Sequence, residues 1–184
     1  MKHHIKITEV YNKYINSIST KEMAASLELC LYIFDLCETN QYKRIIDCGS
    51  GITSYVLRYY QSLYNNVIVY SADDHKEWLQ KSKSFVESYG LNVDNFVHEM
   101  ETIIDIDFEL VIHDYGRMPT RTRTLEYVLT TLSKPGTVVI LDDCHKLSYY
   151  NVVKKTLDSK SLNFNEIEET RDTLGRFSVL TQIL

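Results

Sequence analysis

The chain has 184 residues, 44% of them hydrophobic, which is enough for one globular domain with a sizeable core. Its formal net charge of −5 argues against a broad nucleic-acid surface or an anionic-membrane footprint. The four cysteines lack a C-x-x-C pair, no apolar run reaches about 18 residues, and no apolar stretch follows Met1-Lys2-His3-His4; a soluble, cytoplasmic, reduced protein without signal peptide or membrane span is expected.

Ile7, Val10, Tyr11, Tyr14, Ile15 and Ile18 fall at helical spacing and predict an N-terminal amphipathic helix. We expect residues 1–19 to form an extension, serving as a lid or a homodimer contact, on a domain of residues 20–184. Ser19-Thr20-Lys21-Glu22 reads as a capping box, which would open a second helix carrying Met23, Leu27, Cys30, Leu31, Phe34 and Cys37 on one face. The two cysteines on that face read as core filler.

From Arg44 onward strands and helices alternate. Strands are predicted at 45–47, 67–71, 96–100, 108–113 and 137–141, and helices are marked by Ile52/Val56/Leu57/Tyr60, Trp78/Leu79/Phe85/Val86, Leu125/Val128/Leu129/Leu132 and Val152/Val153/Leu157. Gly90 suits a helix C-terminus. Two more strands, 163–168 and 176–183, flank Asp172-Thr173-Leu174-Gly175, which reads as a hairpin turn. The expected fold is therefore α/β: a single doubly wound, mostly parallel seven-stranded sheet with helices on both faces and a C-terminal antiparallel β-hairpin.

Such sheets bind ligands outside the carboxyl ends of their strands. The run Arg44-Ile45-Ile46-Asp47-Cys48-Gly49-Ser50-Gly51-Ile52-Thr53 places a carboxylate and two glycines there, at the entry to a helix. Glycine allows close backbone approach, and the helix start points free N–H groups at a ligand. A carboxylate beside that cradle would repel a pyrophosphate and suits a cationic or hydroxyl-bearing ligand. Asp73-Asp74, Asp114 and Asp142-Asp143 follow three further strands, so acids collect along one edge of the sheet. A dinucleotide loop would need a third glycine where Ser54 stands, which disfavours an NAD(P)-dependent reductase.

These residues resemble the class I S-adenosylmethionine (SAM) dependent methyltransferases. Asp47-Cys48-Gly49-Ser50-Gly51 is similar to the family's first motif, and Val69–Trp78 to the second-strand motif, whose first acid binds the ribose hydroxyls. Phe108–Asp114 resembles the fourth-strand motif. Leu132-Ser133-Lys134-Pro135-Gly136-Thr137 resembles the turn before strand five, with Thr137 in place of a second glycine. The third-strand motif that frames adenine is eroded at Met100-Glu101-Thr102. The resemblance implies SAM as cofactor, held by Asp47, Gly49, Ser50, Gly51, Thr53, Asp73 and Asp74. It implies transfer of a methyl group to a small or medium-sized acceptor chosen by residues 1–19, 115–123 and 144–150.

Catechol-type O-methyltransferases place a metal-binding acid after strand four and an Asp-Asn pair after strand five. Asp114, Asp142 and Asp143 occupy those places, which would suit Mg²⁺ or Ca²⁺ and O-methylation. Asp114 and Arg117 are the candidate catalytic pair. Arg117 stands where the family has a lysine, and arginine is a poor base because it stays charged. Arg117, Arg121 and Arg123 form the one dense basic cluster, read either as an anion clamp or as a solvated helix start. The rival from another class is a non-catalytic SAM-binding or scaffold protein that keeps the fold.

Overall fold

The computed structural model describes all of residues 1–184. Its elements are α1 (Lys2–Ser17), α2 (Leu27–Asn40), β1 (Arg44–Cys48), α3 (Ile52–Leu63), β2 (Ile68–Asp73), α4 (Lys76–Glu87), β3 (Phe96–His98), β4 (Leu110–His113), α5 (Met118–Tyr127), β5 (Val138–Leu141), α6 (Leu147–Ser159), β6 (Phe164–Ile167) and β7 (Ser178–Gln182). The last turns of α5 widen into a π-helix at Val128–Leu132. No helix is long and apolar enough to cross a membrane.

The seven strands lie in the order β3-β2-β1-β4-β5-β7-β6. β1 to β5 are parallel, and β7 runs antiparallel to both β5 and β6. Side chains alternate across a strand, so neighbouring strand residues face different layers. Ile45, Val69, Leu110, Ile112 and Ile140 pack under α1, α2 and α3. Ile46, Ala72, Val111, Val139 and Leu141 pack under α5 and α6. Both faces are covered, which is why the parallel strands read as continuous apolar runs. The expected α/β architecture and its closing antiparallel pair are as observed.

α1 lies within the first of these layers: Ile7, Val10, Tyr11 and Tyr14 are buried against α2 and α3. Cys30 and Cys37 are buried as well. The expected capping box at Ser19 is not used. Residues 20–24 form a turn closed by Ala24 N–H to the Thr20 carbonyl at 2.9 Å, and Met23 is 78% exposed. The helix begins seven residues later than Thr20, at Leu27, where the Ser26 hydroxyl accepts from Leu29 N–H at 3.0 Å. Arg176, just ahead of β7, decides this by donating from Nη1 to the Ala24 carbonyl at 2.7 Å, which holds that oxygen away from a helical partner. Ser26→Ala is accordingly expected to cost about 1 kcal/mol of stability, measured by urea unfolding, whereas Ser19→Ala should cost a few tenths at most.

The third strand ends at His98, two residues short of expectation, and runs straight into one 3₁₀ turn at Met100–Thr102. The β6–β7 connection is longer than a tight hairpin. It contains a 3₁₀ turn at Glu168–Thr170 and a loop organised by Asp172, whose carboxylate accepts from the N–H groups of Leu174 and Arg176 and pairs with the Arg176 guanidinium.

Candidate cofactor and acceptor site

β1 carries Asp47 to the carboxyl edge, and the chain then turns at Gly49, whose φ is +108°. Gly49 N–H donates to the Ala72 carbonyl on β2, and Asp114 N–H donates to the Cys48 carbonyl, so the loop is sewn to both neighbouring strands. A Cβ at Gly49 would lie 2.2 Å from the Asp114 carbonyl oxygen. Only glycine fits there. Gly51 differs: its φ of 169° is ordinary extended backbone, and a Cβ would meet only the Tyr14 hydroxyl, at 3.4 Å.

Asp47 is fully buried. Its Oδ2 accepts from the Ser54 hydroxyl at 2.6 Å and the Thr53 hydroxyl at 3.0 Å. Its Oδ1 has no partner, and the buried Tyr14 hydroxyl, which lies against Gly51, has none either. Burial pushes the Asp47 carboxyl up to about 7, against the pull of Ser54, Thr53 and, at longer range, Arg58. Arg58 belongs to the same network: its Nη1 donates to Ser71 Oγ at 2.9 Å, and Ser71 donates to Ser54 at 3.0 Å. The guanidinium is 1% exposed, stacks 4.1 Å from the Phe96 ring centroid, and is lowered to about 10 by burial. An orphaned buried acceptor is costly unless a ligand or water completes it.

Asp73 ends β2 and is also buried. Ser50 donates to its Oδ2 from both backbone N–H (2.8 Å) and hydroxyl (2.9 Å), and His75 N–H donates to its Oδ1 at 2.9 Å. Trp78 Nε1 donates to the Ser50 carbonyl at 2.7 Å, tying α4 to the glycine loop. A carboxylate offers roughly four lone-pair sites, so three donors leave little beyond one for a sugar hydroxyl unless Ser50 Oγ rotates away. Asp74 is exposed and approaches Gly116, where a Cβ would lie 2.7 Å from its Oδ2. Next to β3, the Tyr115 ring is buried and its hydroxyl accepts from Met100 N–H at 3.4 Å. The edge expected to frame adenine is thus served by Met100 and lined by Tyr115.

The acids after β4 and β5 do not form the expected metal site. Arg121, on the first turns of α5 and 5% exposed, reaches between them. Its guanidinium pairs with the Asp114 carboxylate and donates from Nη1 to Asp143 Oδ2 at 2.5 Å. It also donates from Nη2 to the carbonyls of Asp114 (2.9 Å) and Gly116 (3.0 Å). Asp142 turns away to accept from Ser178 Oγ at 2.8 Å. No group of three His, Cys, Asp or Glu side chains converges on one point. The residues present therefore do not fit Mg²⁺ or Ca²⁺, because a fixed cation already sits between the carboxylates. Burial pushes Asp142 upward, whereas for Asp143 the pull of Arg121 and Lys146 outweighs burial and holds it below the usual range.

The catalytic pairing of Asp114 with Arg117 is also not seen. Asp114 is committed to Arg121, while Arg117 is exposed at the start of α5. Of the three arginines in that cluster, Arg117 and Arg123 are solvated and Arg121 is internal, so neither a shared anion clamp nor a common solvated role describes them. His145 lies 3.6 Å from Asp143 Oδ1 with its Nδ1 otherwise unpartnered. His113 points into the layer of α5 and α6, between Thr124 and Tyr149, and burial lowers it to about 3.

One surface concavity, about 650 Å³, runs between α1 and α4 past Lys13, Ser17, Lys81 and Phe85. A second, about 520 Å³, lies at the amino edge of the sheet around Arg44 and Glu109. Neither touches the carboxyl-edge acids; there the Asp114–Gly116 segment lies against Gly49 and Asp74, and the Tyr14 hydroxyl of α1 approaches Gly51.

The residues that sequence reasoning missed are Arg58, Arg121 as an internal group, Tyr14 and Trp78. The one legible signal was Ser54, noted only as a missing glycine; it is the link between Asp47 and Arg58.

No protein-family model matches the sequence, and no curated protein matches it. Solved structures match the fold over its whole length. The O-methyltransferase TomG from Streptomyces achromogenes, involved in tomaymycin synthesis and solved with SAM, shares 17% identity and a TM-score of 0.68, covering 100% of this chain and 90% of its own. An O-methyltransferase from Bacillus cereus in complex with S-adenosylhomocysteine (SAH) shares 13% identity and a TM-score of 0.70, with coverage of 100% and 91%. The SAH-bound Podospora anserina methyltransferase PaMTH1 shares 13% identity and a TM-score of 0.64, with coverage of 96% and 87%. The chain has the class I SAM-dependent methyltransferase fold.

Proposed function

We propose that this protein is a SAM-dependent methyltransferase acting on a hydroxyl of a small or medium-sized acceptor. The observation that carries the reading is the partnerless Oδ1 of Asp47, buried at the end of β1. A buried carboxylate oxygen without a donor asks for a ligand that brings one, and the amino group of a methionine moiety supplies it. Asp47, Gly49, Ser50, Gly51 and Thr53 would hold that end, and Asp73 the ribose, with Ser50 releasing one of its two bonds to Asp73. SAM supplies an electrophilic methyl group on a good leaving group, so the protein's main task is alignment of the acceptor. His145, whose Nδ1 is turned toward Asp143, would be the group to take the acceptor's proton at its other ring nitrogen. The acceptor would be chosen by α1, residues 115–123 and residues 144–150, and with no metal step required.

A second reading, a fold retained without methyl transfer, is favoured by the bonds already made at Asp73: Ser50 donates to it twice, and Tyr115 lines the edge beside β3. Calorimetric titration separates the cases. SAM and SAH are expected to bind at micromolar Kd and NAD not at all; tight NAD binding without SAM binding would overturn both readings. SAH release in the presence of phenolic acceptors then supports catalysis, and SAM binding with no turnover over an acceptor panel supports the retained fold.

A further inference from the structure

We propose that Arg121 is the resident cation of the β4–β5 acid cluster, occupying the position between Asp114 and Asp143 so that the protein takes up no divalent metal there. The cluster is built from two exits of the sheet. Asp114 follows β4, and Asp142 and Asp143 follow β5. Three carboxylates so close would repel one another in a buried setting and call for a compensating cation. The guanidinium is aimed into the gap from α5 and makes four contacts there, with both flanking carboxylates and with the carbonyls of Asp114 and Gly116. The neighbouring groups are partnered as well: Lys146 Nζ lies 2.6 Å from Asp143 Oδ2, His145 Nδ1 lies 3.6 Å from Asp143 Oδ1, Asp142 is satisfied by Ser178, and Asp47 and Arg176 act on Asp114 and Asp142 at longer range.

A guanidinium differs from a metal ion in that its donors point in fixed directions and it cannot dissociate. Here the same group that balances charge also grips the backbone on both sides of Tyr115. Arg121 is a positioning residue: it sets the path of residues 114–116, which lie against Gly49 and Asp74. The inference does not depend on the methyl-transfer reading, since it concerns charge and loop geometry alone.

Removing the cation leaves Asp114 and Asp143 facing each other with a vacated space between them, and a divalent ion is the natural replacement. The test compares wild type, R121K and R121Q, each chelator-treated and then melted with and without 1 mM Mn²⁺, with Mn²⁺ uptake followed by electron paramagnetic resonance. R121Q is expected to bind one equivalent and to gain about 5 °C or more in melting temperature, while wild type and R121K show neither. Should R121Q not fold alone, its recovery from denaturant only when Mn²⁺ is present carries the same meaning. One equivalent of Mn²⁺ bound by wild type would overturn the proposal. An R121Q protein that shows no metal response in melting, uptake or refolding would overturn it too.

Discussion

Replacing Gly49 with alanine is expected to lower stability by about 3 kcal/mol and to abolish SAM binding. Two costs combine. The backbone at φ +108° lies where L side chains rarely go, a strain of order 1–3 kcal/mol. The new methyl would also stand 2.2 Å from the Asp114 carbonyl oxygen, which is backbone and cannot swing aside as a side-chain end can. Relief requires separating the loop after β1 from the segment after β4, and that breaks the Asp114 N–H to Cys48 carbonyl bond. Gly51→Ala is the control. Its φ of 169° suits any residue and its Cβ meets one hydroxyl at 3.4 Å, so its stability should stay within about 1 kcal/mol of wild type. Urea unfolding of the two variants decides the matter: equal midpoints would mean that the loop is free to move away from β4.

The second large effect is a pH dependence centred on Asp47. Its carboxyl is raised from 3.8 to about 7, chiefly by burial. The folded protein therefore holds this proton more tightly than the unfolded chain does. That group's contribution to stability is fully present below about pH 4 and is lost as pH rises through about 7, at up to about 1.4 kcal/mol per pH unit. Asp47→Asn should abolish this decline, so the variant gains on wild type between pH 5 and pH 8 in urea unfolding.

Binding runs the other way. A cationic amino group needs the ionised carboxylate, so SAM affinity should fall about tenfold per pH unit below about 7. It should be greatest between about pH 7 and 8, above which an amino group begins to lose its own proton. Asp47→Asn should bind SAM about a hundredfold more weakly at pH 7.5 and show no fall in affinity between pH 7 and 5. Calorimetry across pH 5–8 checks both statements. A wild-type affinity that does not change over that range would remove Asp47 from the cofactor site while leaving the stability result standing.

Much of the architecture was legible in the chain. Apolar runs of strand length alternate with helical periodicities from Arg44 to Ser159, and each run maps to a strand or helix within a few residues. The acids at Asp47, Asp73, Asp114 and Asp142 were placed on one edge, and all four lie at the carboxyl ends of strands β1, β2, β4 and β5. The start of α2 was misread because Ser19 and Ser26 are both good caps locally. The choice between them was made by Arg176, 152 residues downstream of Ala24.

The same limit governs the site. Composition and periodicity by themselves determined the layered sheet, its closing antiparallel pair and the glycine turn beside Asp47, because those depend on residue spacing and on the backbone freedom of single residues. Only the tertiary structure decided that Arg121 enters the acid cluster while Arg117 and Arg123 stay in water, that Arg58 reaches Asp47 through two serines, and that the segment after β4 lies against Gly49 and Asp74. Those outcomes rest on which side chains meet across elements far apart in the chain, where desolvation makes an unpaired charge too costly to leave and selects the partner within reach.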